Sequence, residues 1–130
     1  MADLSEPRVV AVGGPTASGK TALSVALAKT FDGEIINADS MQLYKGLDIG
    51  TAKPSPEEQQ GIPHHLLDFL PPETAYSVAD FTAAADPLIR EISGRGRLPF
   101  VVVLHINIWF AILNFPYITH FLHFLYTENT

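Results

Sequence analysis

Residues 14 to 21 read Gly14-Pro15-Thr16-Ala17-Ser18-Gly19-Lys20-Thr21: a glycine, four residues, then glycine, lysine and threonine. That spacing grips phosphate. The glycines let the backbone curl until several N–H groups converge on one anion, and a helix opening at Lys20 adds the positive end of its dipole. Lys20 supplies a point charge, and the Thr21 hydroxyl is an oxygen ligand suited to Mg²⁺. The chemistry implied is the binding of a di- or triphosphate. A second group is Asp39-Ser40-Met41-Gln42. A carboxylate there can take a proton from a nucleophile beside bound phosphate, although Asp and Ser serve equally as turn or capping residues. His64 and His65 are adjacent, and neighbours on a strand face opposite ways. They therefore make a poor metal pair and suit packing. Lys45 and Lys53 can meet phosphate, but surface lysines usually meet only water.

The elements that must position these groups can be read from hydrophobic spacing. Arg8-Val9-Val10-Ala11-Val12 suits a strand buried on both faces, and the phosphate loop follows it directly. Leu23, Leu27 and Phe31 recur at helical spacing, and Asp32-Gly33 stops that helix, glycine being suited to the left-handed position past a helix end. Glu34-Ile35-Ile36-Asn37-Ala38 reads as a second strand. A strand-helix-strand crossover of this kind is right-handed in roughly 98% of cases, so both strands run parallel and end on the edge where α/β sheets bind ligands. Residues 39–61 carry Gly46, Gly50, Pro54 and Pro56 without a sustained period and read as a long loop. His64 to Leu70 can form a short strand, stopped by Pro71-Pro72. Ser77 to Asp80 has capping-box spacing with Asp for the usual Glu. Val78, Phe81, Leu88, Ile89 and Ile92 mark one helix face. Pro87 should kink that helix, since an interior proline costs about 3 kcal/mol. Gly94 and Gly96 end it, and Phe100-Val101-Val102-Val103-Leu104 is a third buried strand. The fold expected is α/β: a P-loop NTPase-like parallel sheet core, truncated after about the third strand.

Composition agrees with one intracellular domain. In 130 residues, 47% are apolar and none is cysteine, which excludes a disulfide scaffold, a thiolate metal site and a cysteine nucleophile. The opening residues show no secretory signal or transit peptide, so the expected location is cytoplasmic. Fourteen acids against eight bases leave a formal charge of −6, which disfavours unaided binding to nucleic acid. The average hides a break. From residue 98 to 127 no Asp, Glu, Lys or Arg occurs, while seven aromatics (Trp109, Phe110, Phe115, Tyr117, Phe121, Phe124, Tyr126) crowd into the part beyond Leu104.

Taken together, GPTASGKT at 14–21, INADSMQLYKGLDIGTAKP at 36–54, GIPHHLLD at 61–68, YSVADF at 76–81 and GRGRLPFVVV at 94–103 closely resemble the tRNA dimethylallyltransferase (tRNA isopentenyltransferase) family. The resemblance implies transfer of a dimethylallyl group from dimethylallyl diphosphate to the N6 amine of the adenosine adjacent to a tRNA anticodon. It also implies roles. Gly14, Pro15, Thr16, Ala17, Ser18, Gly19, Lys20 and Thr21 would hold the diphosphate, with Mg²⁺ at Thr21, and Asp39 would be the general base. Asp39, Ser40, Met41 and Gln42 would contact the target base, which must leave its stack to reach a pocket. The family is often labelled ATP-binding for its loop, although the phosphate compound it uses is the prenyl diphosphate. The enzyme would act as a monomer.

The resemblance stops after Val103. The family continues there with a glycine-rich stretch of the form GGTGLY, where this chain has Leu104-His105-Ile106-Asn107-Ile108-Trp109. The division expected is a partial prenyltransferase core over residues 1–103 and an unrelated hydrophobic, aromatic tail over 104–130. Activity of such a truncated chain would be low or absent. Residues 98–126 are long enough to cross a bilayer, and Arg90, Arg95 and Arg97 lie just ahead of them as a tail anchor requires. Against a membrane anchor stand His105, Asn107, Asn114, Pro116, His120 and His123, which are costly in hydrocarbon. Other readings left open are a small P-loop metabolite kinase with Asp39 as its base and a non-catalytic, membrane-tethered isoform.

Overall fold

The structure is a computed structural model that describes residues 8–13, 20–38, 45, 54–67, 69–103 and 118–123, with Lys20, Val78 and 118–123 described by their backbone. In chain order the elements are β1 (Val9–Gly13), α1 (Lys20–Thr30), β2 (Gly33–Asn37), α2 (Pro56–Gln59), β3 (His64–His65), α3 (Val78–Gly94), β4 (Leu98–Val103) and β5 (Ile118–His123). The strands form one sheet in the order β3-β2-β4-β1-β5. Every pairing is parallel: β1 with β4 and β5, and β2 with β3 and β4.

This order follows from two crossovers that move in opposite directions. The chain passes from β1 through α1 to β2, leaving a gap that β4 fills on its return through α3. Right-handed crossovers running in opposite directions along a sheet put their helices on opposite faces, and the core divides accordingly. On one face Phe81, Ala85, Ile89 and Ile92 of α3 pack on Val9, Ala11, Ile36, Val101 and Val103. On the other, Val25 and Ala28 of α1 pack on Val12, Ile35, Phe100 and Val102. The alternation of Ile35 with Ile36 and of Val102 with Val103 is the period of two expected of strands covered on both sides.

The end of α1 differs from the sequence reading in one respect. The left-handed residue is Asp32 (φ 55°), and Gly33 already begins β2. A Cβ at Gly33 would lie 2.6 Å from the Leu98 carbonyl oxygen and press on the Phe100 ring. Glycine is thus required for close strand packing, while the turn is made by an Asp, which tolerates the left-handed region. Helix α3 starts as expected: Ser77 Oγ accepts from the Asp80 amide at 3.1 Å and the Ser77 amide donates to Asp80 Oδ2 at 2.8 Å. It continues unbroken through Pro87, which lies on its exposed side. The stretch read as a long loop holds one helical turn, α2, with a full capping box between Ser55 and Glu58. The expected strand over His64 to Leu70 is only two residues long, because Leu66 turns the chain with φ 59°.

The sheet also runs one strand past the point where the family resemblance ends. β5, inside the aromatic tail, pairs with β1 from Val9↔Ile118 to Gly13↔His123, with one register irregularity between Val9 and Val10. The uncharged run is therefore not a single span. Its first six residues are β4, a central strand between β2 and β1, and 118–123 are a further strand of the sheet. Among the described residues no helix is long and apolar enough to cross a membrane. The arginines read as flanking a span have other work: Arg90 meets Asp86 at 3.3 Å, and Arg95 and Arg97 bind acids of the fold.

Candidate functional site

β1, β2 and β4 end on one edge. Gly13 pairs with Val103 and Asn37 with Val102, and the Ala38 amide donates to the Val102 carbonyl at 2.8 Å. The chain thus leaves β1 toward the glycine-rich loop, and β2 toward Asp39, from the same edge, with β4 between them. Gly14, Pro15, Thr16, Ala17, Ser18 and Gly19 lie outside the described residues, as do Asp39, Ser40, Met41, Gln42 and Lys53. Lys20 opens α1, and Thr21 stands in its first turn. Lys45 is exposed, its amide donating to the Leu70 carbonyl at 2.8 Å.

Thr21 is half-buried and lines a crevice on the α1 face with Ser24, Ile35, Asn37, Pro54, His64, Leu67 and Val102. The crevice measures about 290 Å³ including its open mouth. His64 enters it in a defined state. Its Nδ1 lies 2.8 Å from the Ile62 carbonyl oxygen, and a carbonyl can only accept, so Nδ1 carries the proton and Nε2 is left as an acceptor. Burial pushes the imidazole below its ordinary value of 6.5, only partly offset by the Ile62 carbonyl, so the neutral ring is favoured. Asn37, at the end of β2, donates from Nδ2 to the Leu66 carbonyl at 3.0 Å and so ties the turn after β3 to this edge.

His65 faces the other way, as the strand geometry demanded. Its Nε2 lies 2.6 Å from Glu34 Oε1. Glu34 is 2% exposed and is gripped on both oxygens by Arg95 Nη2, at 2.6 and 2.7 Å, with Arg97 Nη1 at 3.3 Å. Arg97 also binds Asp32 at 2.9 Å. This cluster is a structural centre that the sequence reading missed. Its signal was an acid inside an otherwise apolar strand, which needs a cationic partner if buried. Among the described residues no three His, Asp or Glu converge as a metal site.

A parallel α/β sheet whose first strand is followed by a Gly-rich, Lys-Thr sequence and then its first helix has the P-loop NTPase-like architecture. Comparison with known proteins narrows the class. The IPP transferase family model matches residues 42–103. The tRNA dimethylallyltransferase of Corynebacterium jeikeium is 55% identical over 102 residues, covering 78% of this chain and 33% of its own. That of Halalkalibacterium halodurans is 59% identical over 95 residues, covering 73% and 30%. The crystal structure of the full-length tRNA isopentenylpyrophosphate transferase from Bacillus halodurans superposes with a TM-score of 0.79 at 51% identity, over 85% of this chain and 37% of that one. Through Val103 the chain belongs to the IPP transferase family. It spans about a third of the length of the curated relatives it matches.

Proposed function

We propose that this chain carries the diphosphate-binding half of a tRNA dimethylallyltransferase site. In that reading the loop from Gly14 to Gly19, with Lys20 and Thr21, holds dimethylallyl diphosphate, and Asp39 faces it from the end of β2. The N6 amine of the adenosine adjacent to the anticodon attacks the first carbon of the dimethylallyl group. The C–O bond to the diphosphate breaks, the diphosphate leaves as an anion, and Asp39 takes the proton from nitrogen. Backbone amides and Lys20 stabilise the growing negative charge. Ser40, Met41 and Gln42 contact the extruded base.

The observation that carries this reading is the shared edge of β1 and β2, joined to a sequence more than half identical to enzymes named for the reaction. Thr21 is the residue that would hold Mg²⁺. Thr21 is half-buried in the first turn of α1, and a single hydroxyl suits an ion that keeps waters and phosphate oxygens as its other ligands. Magnesium bound with the diphosphate would add charge neutralisation on the leaving group.

Transfer to tRNA by this chain alone is expected to be low. The net charge is −6, and Arg95 and Arg97 are engaged by Glu34 and Asp32, so they offer little to a polyanion. The enzyme would work in the cytoplasm as a monomer. The test is retention of labelled dimethylallyl diphosphate against labelled ATP by the full chain. Retention of the prenyl compound, lost in Lys20→Ala, supports the reading. Retention of ATP alone, with phosphate passed to a small acceptor, replaces it with a metabolite kinase.

A further inference from the structure

We infer that His64 is a positioning residue for the phosphate site, acting on Thr21 through the crevice the two share; the inference rests on the diphosphate reading above. His64 sits on the two-residue strand β3, against Ile35 of β2. Its Nδ1–H is committed to the Ile62 carbonyl at 2.8 Å, which leaves Nε2 as the acceptor available to the crevice. Thr21 lines the same space from the first turn of α1. A hydroxyl has one hydrogen and two lone pairs. When its hydrogen is given to Nε2, directly or through one water, both lone pairs are left for a cation or for a phosphate-bound water. Were the hydrogen free to turn outward, it would oppose a cation there. The crevice has room for a water or two and polar side chains on its walls, the conditions an ordered water requires.

His65 supports this arrangement from the opposite face. Its bond to buried Glu34 holds β3 in register, so that its neighbour is presented to the crevice. The low basicity of buried His64 keeps Nε2 an acceptor at neutral pH.

Two substitutions separate positioning from mere packing, because Asn and Gln place their amides where the two ring nitrogens lie. His64→Asn keeps a donor for the Ile62 carbonyl and loses the crevice acceptor. His64→Gln reaches the crevice and loses the tether. Calorimetric titration of the full chain with inorganic pyrophosphate and Mg²⁺ should show binding weakened roughly tenfold in His64→Asn, the effect of one well-placed hydrogen bond, with most of it restored in His64→Gln. In the wild-type chain, the ¹⁵N resonance of His64 Nε2 should move on pyrophosphate addition while Nδ1 stays protonated. Unchanged affinity in His64→Asn, with Lys20→Ala still abolishing binding, overturns the role of His64 and leaves the diphosphate reading intact. A wild-type chain that binds no pyrophosphate overturns both.

Discussion

Arg95 reaches across 61 positions of sequence to place Nη2 2.6 and 2.7 Å from the two carboxylate oxygens of Glu34. The link joins the turn after α3 to the second residue of β2, and His65 joins β3 to the same carboxylate. Three parts of the chain thus depend on one buried acid. Glu34→Ala removes the charge the other groups surround and is expected to cost about 2 kcal/mol. That is less than for a fully enclosed pair, because both arginines keep contact with water. Urea unfolding of the variant and wild type measures it. An unchanged midpoint would show the cluster to be ornamental.

The same carboxylate sets a pH dependence whose sign can be worked out. Burial alone would raise the Glu34 carboxyl, but hydrogen bonds and charge from Arg95 and His65 together outweigh it and hold it below the ordinary 4.5. As pH falls, the unfolded chain therefore takes up the proton first. The contribution is whole above about 4.5 and is lost as pH falls through the folded value. His64 acts earlier in the same direction. Burial lowers its folded value below 6.5, so its contribution is complete above 6.5 and fades as pH falls beneath it. Unfolding free energies at a series of pH values should decline in two steps on acidification. His64→Asn removes the first step and Glu34→Gln reduces the second, to which Asp80, held below its ordinary value by hydrogen bonds from Ser77, also contributes.

Gly33→Ala tests why glycine follows the turn. If glycine served only the left-handed turn, Asp32 would already supply it and alanine would be accepted. The new Cβ would instead lie 2.6 Å from the Leu98 carbonyl, a backbone atom of the neighbouring strand that cannot swing aside. A loss of about 1–3 kcal/mol is expected, the usual range for overpacking. Thermal unfolding followed by circular dichroism reads it directly.

What could be read in advance was whatever depends on local spacing. The apolar runs around Val12, Ile36 and Val102 announced buried strands, and Ser77 with Asp80 announced the start of α3, because these signals lie within a few residues of what they cause. The helix opening at Lys20 was legible for the same reason, while the glycine-rich residues before it lie outside the described residues. Glu34 was not, since its partners Arg95 and Arg97 are brought near only by the α3 crossover. The strand β5 was hidden differently. Ile118–His123 sits in an uncharged, largely apolar and aromatic run, where strand, membrane span and unstructured tail share a composition and only pairing with β1 decides. The one-turn helix α2 did carry its signal, Ser55 followed by Glu58, but a single turn is too short to show a helical period.

Helix α3 offers a paired prediction with opposite signs. Its N-terminus rests on Ser77, whose hydroxyl accepts from the Asp80 amide at 3.1 Å while Asp80 Oδ2 accepts the Ser77 amide at 2.8 Å. Ser77→Ala removes one half of that exchange and should cost about 1 kcal/mol. Pro87, ten residues further on, lacks the N–H that an interior helical position would donate, and it is exposed, so no packing depends on its ring. Pro87→Ala restores a donor and should stabilise the chain by about 1 kcal/mol, well under the full proline penalty because the fold already accommodates the residue. Measured in one background by chemical denaturation, the two changes should nearly cancel in the double variant, since they act on separate turns of the helix. A destabilising Pro87→Ala would mean that the proline sets a bend on which the packing of Phe81 and Ile92 against the sheet depends.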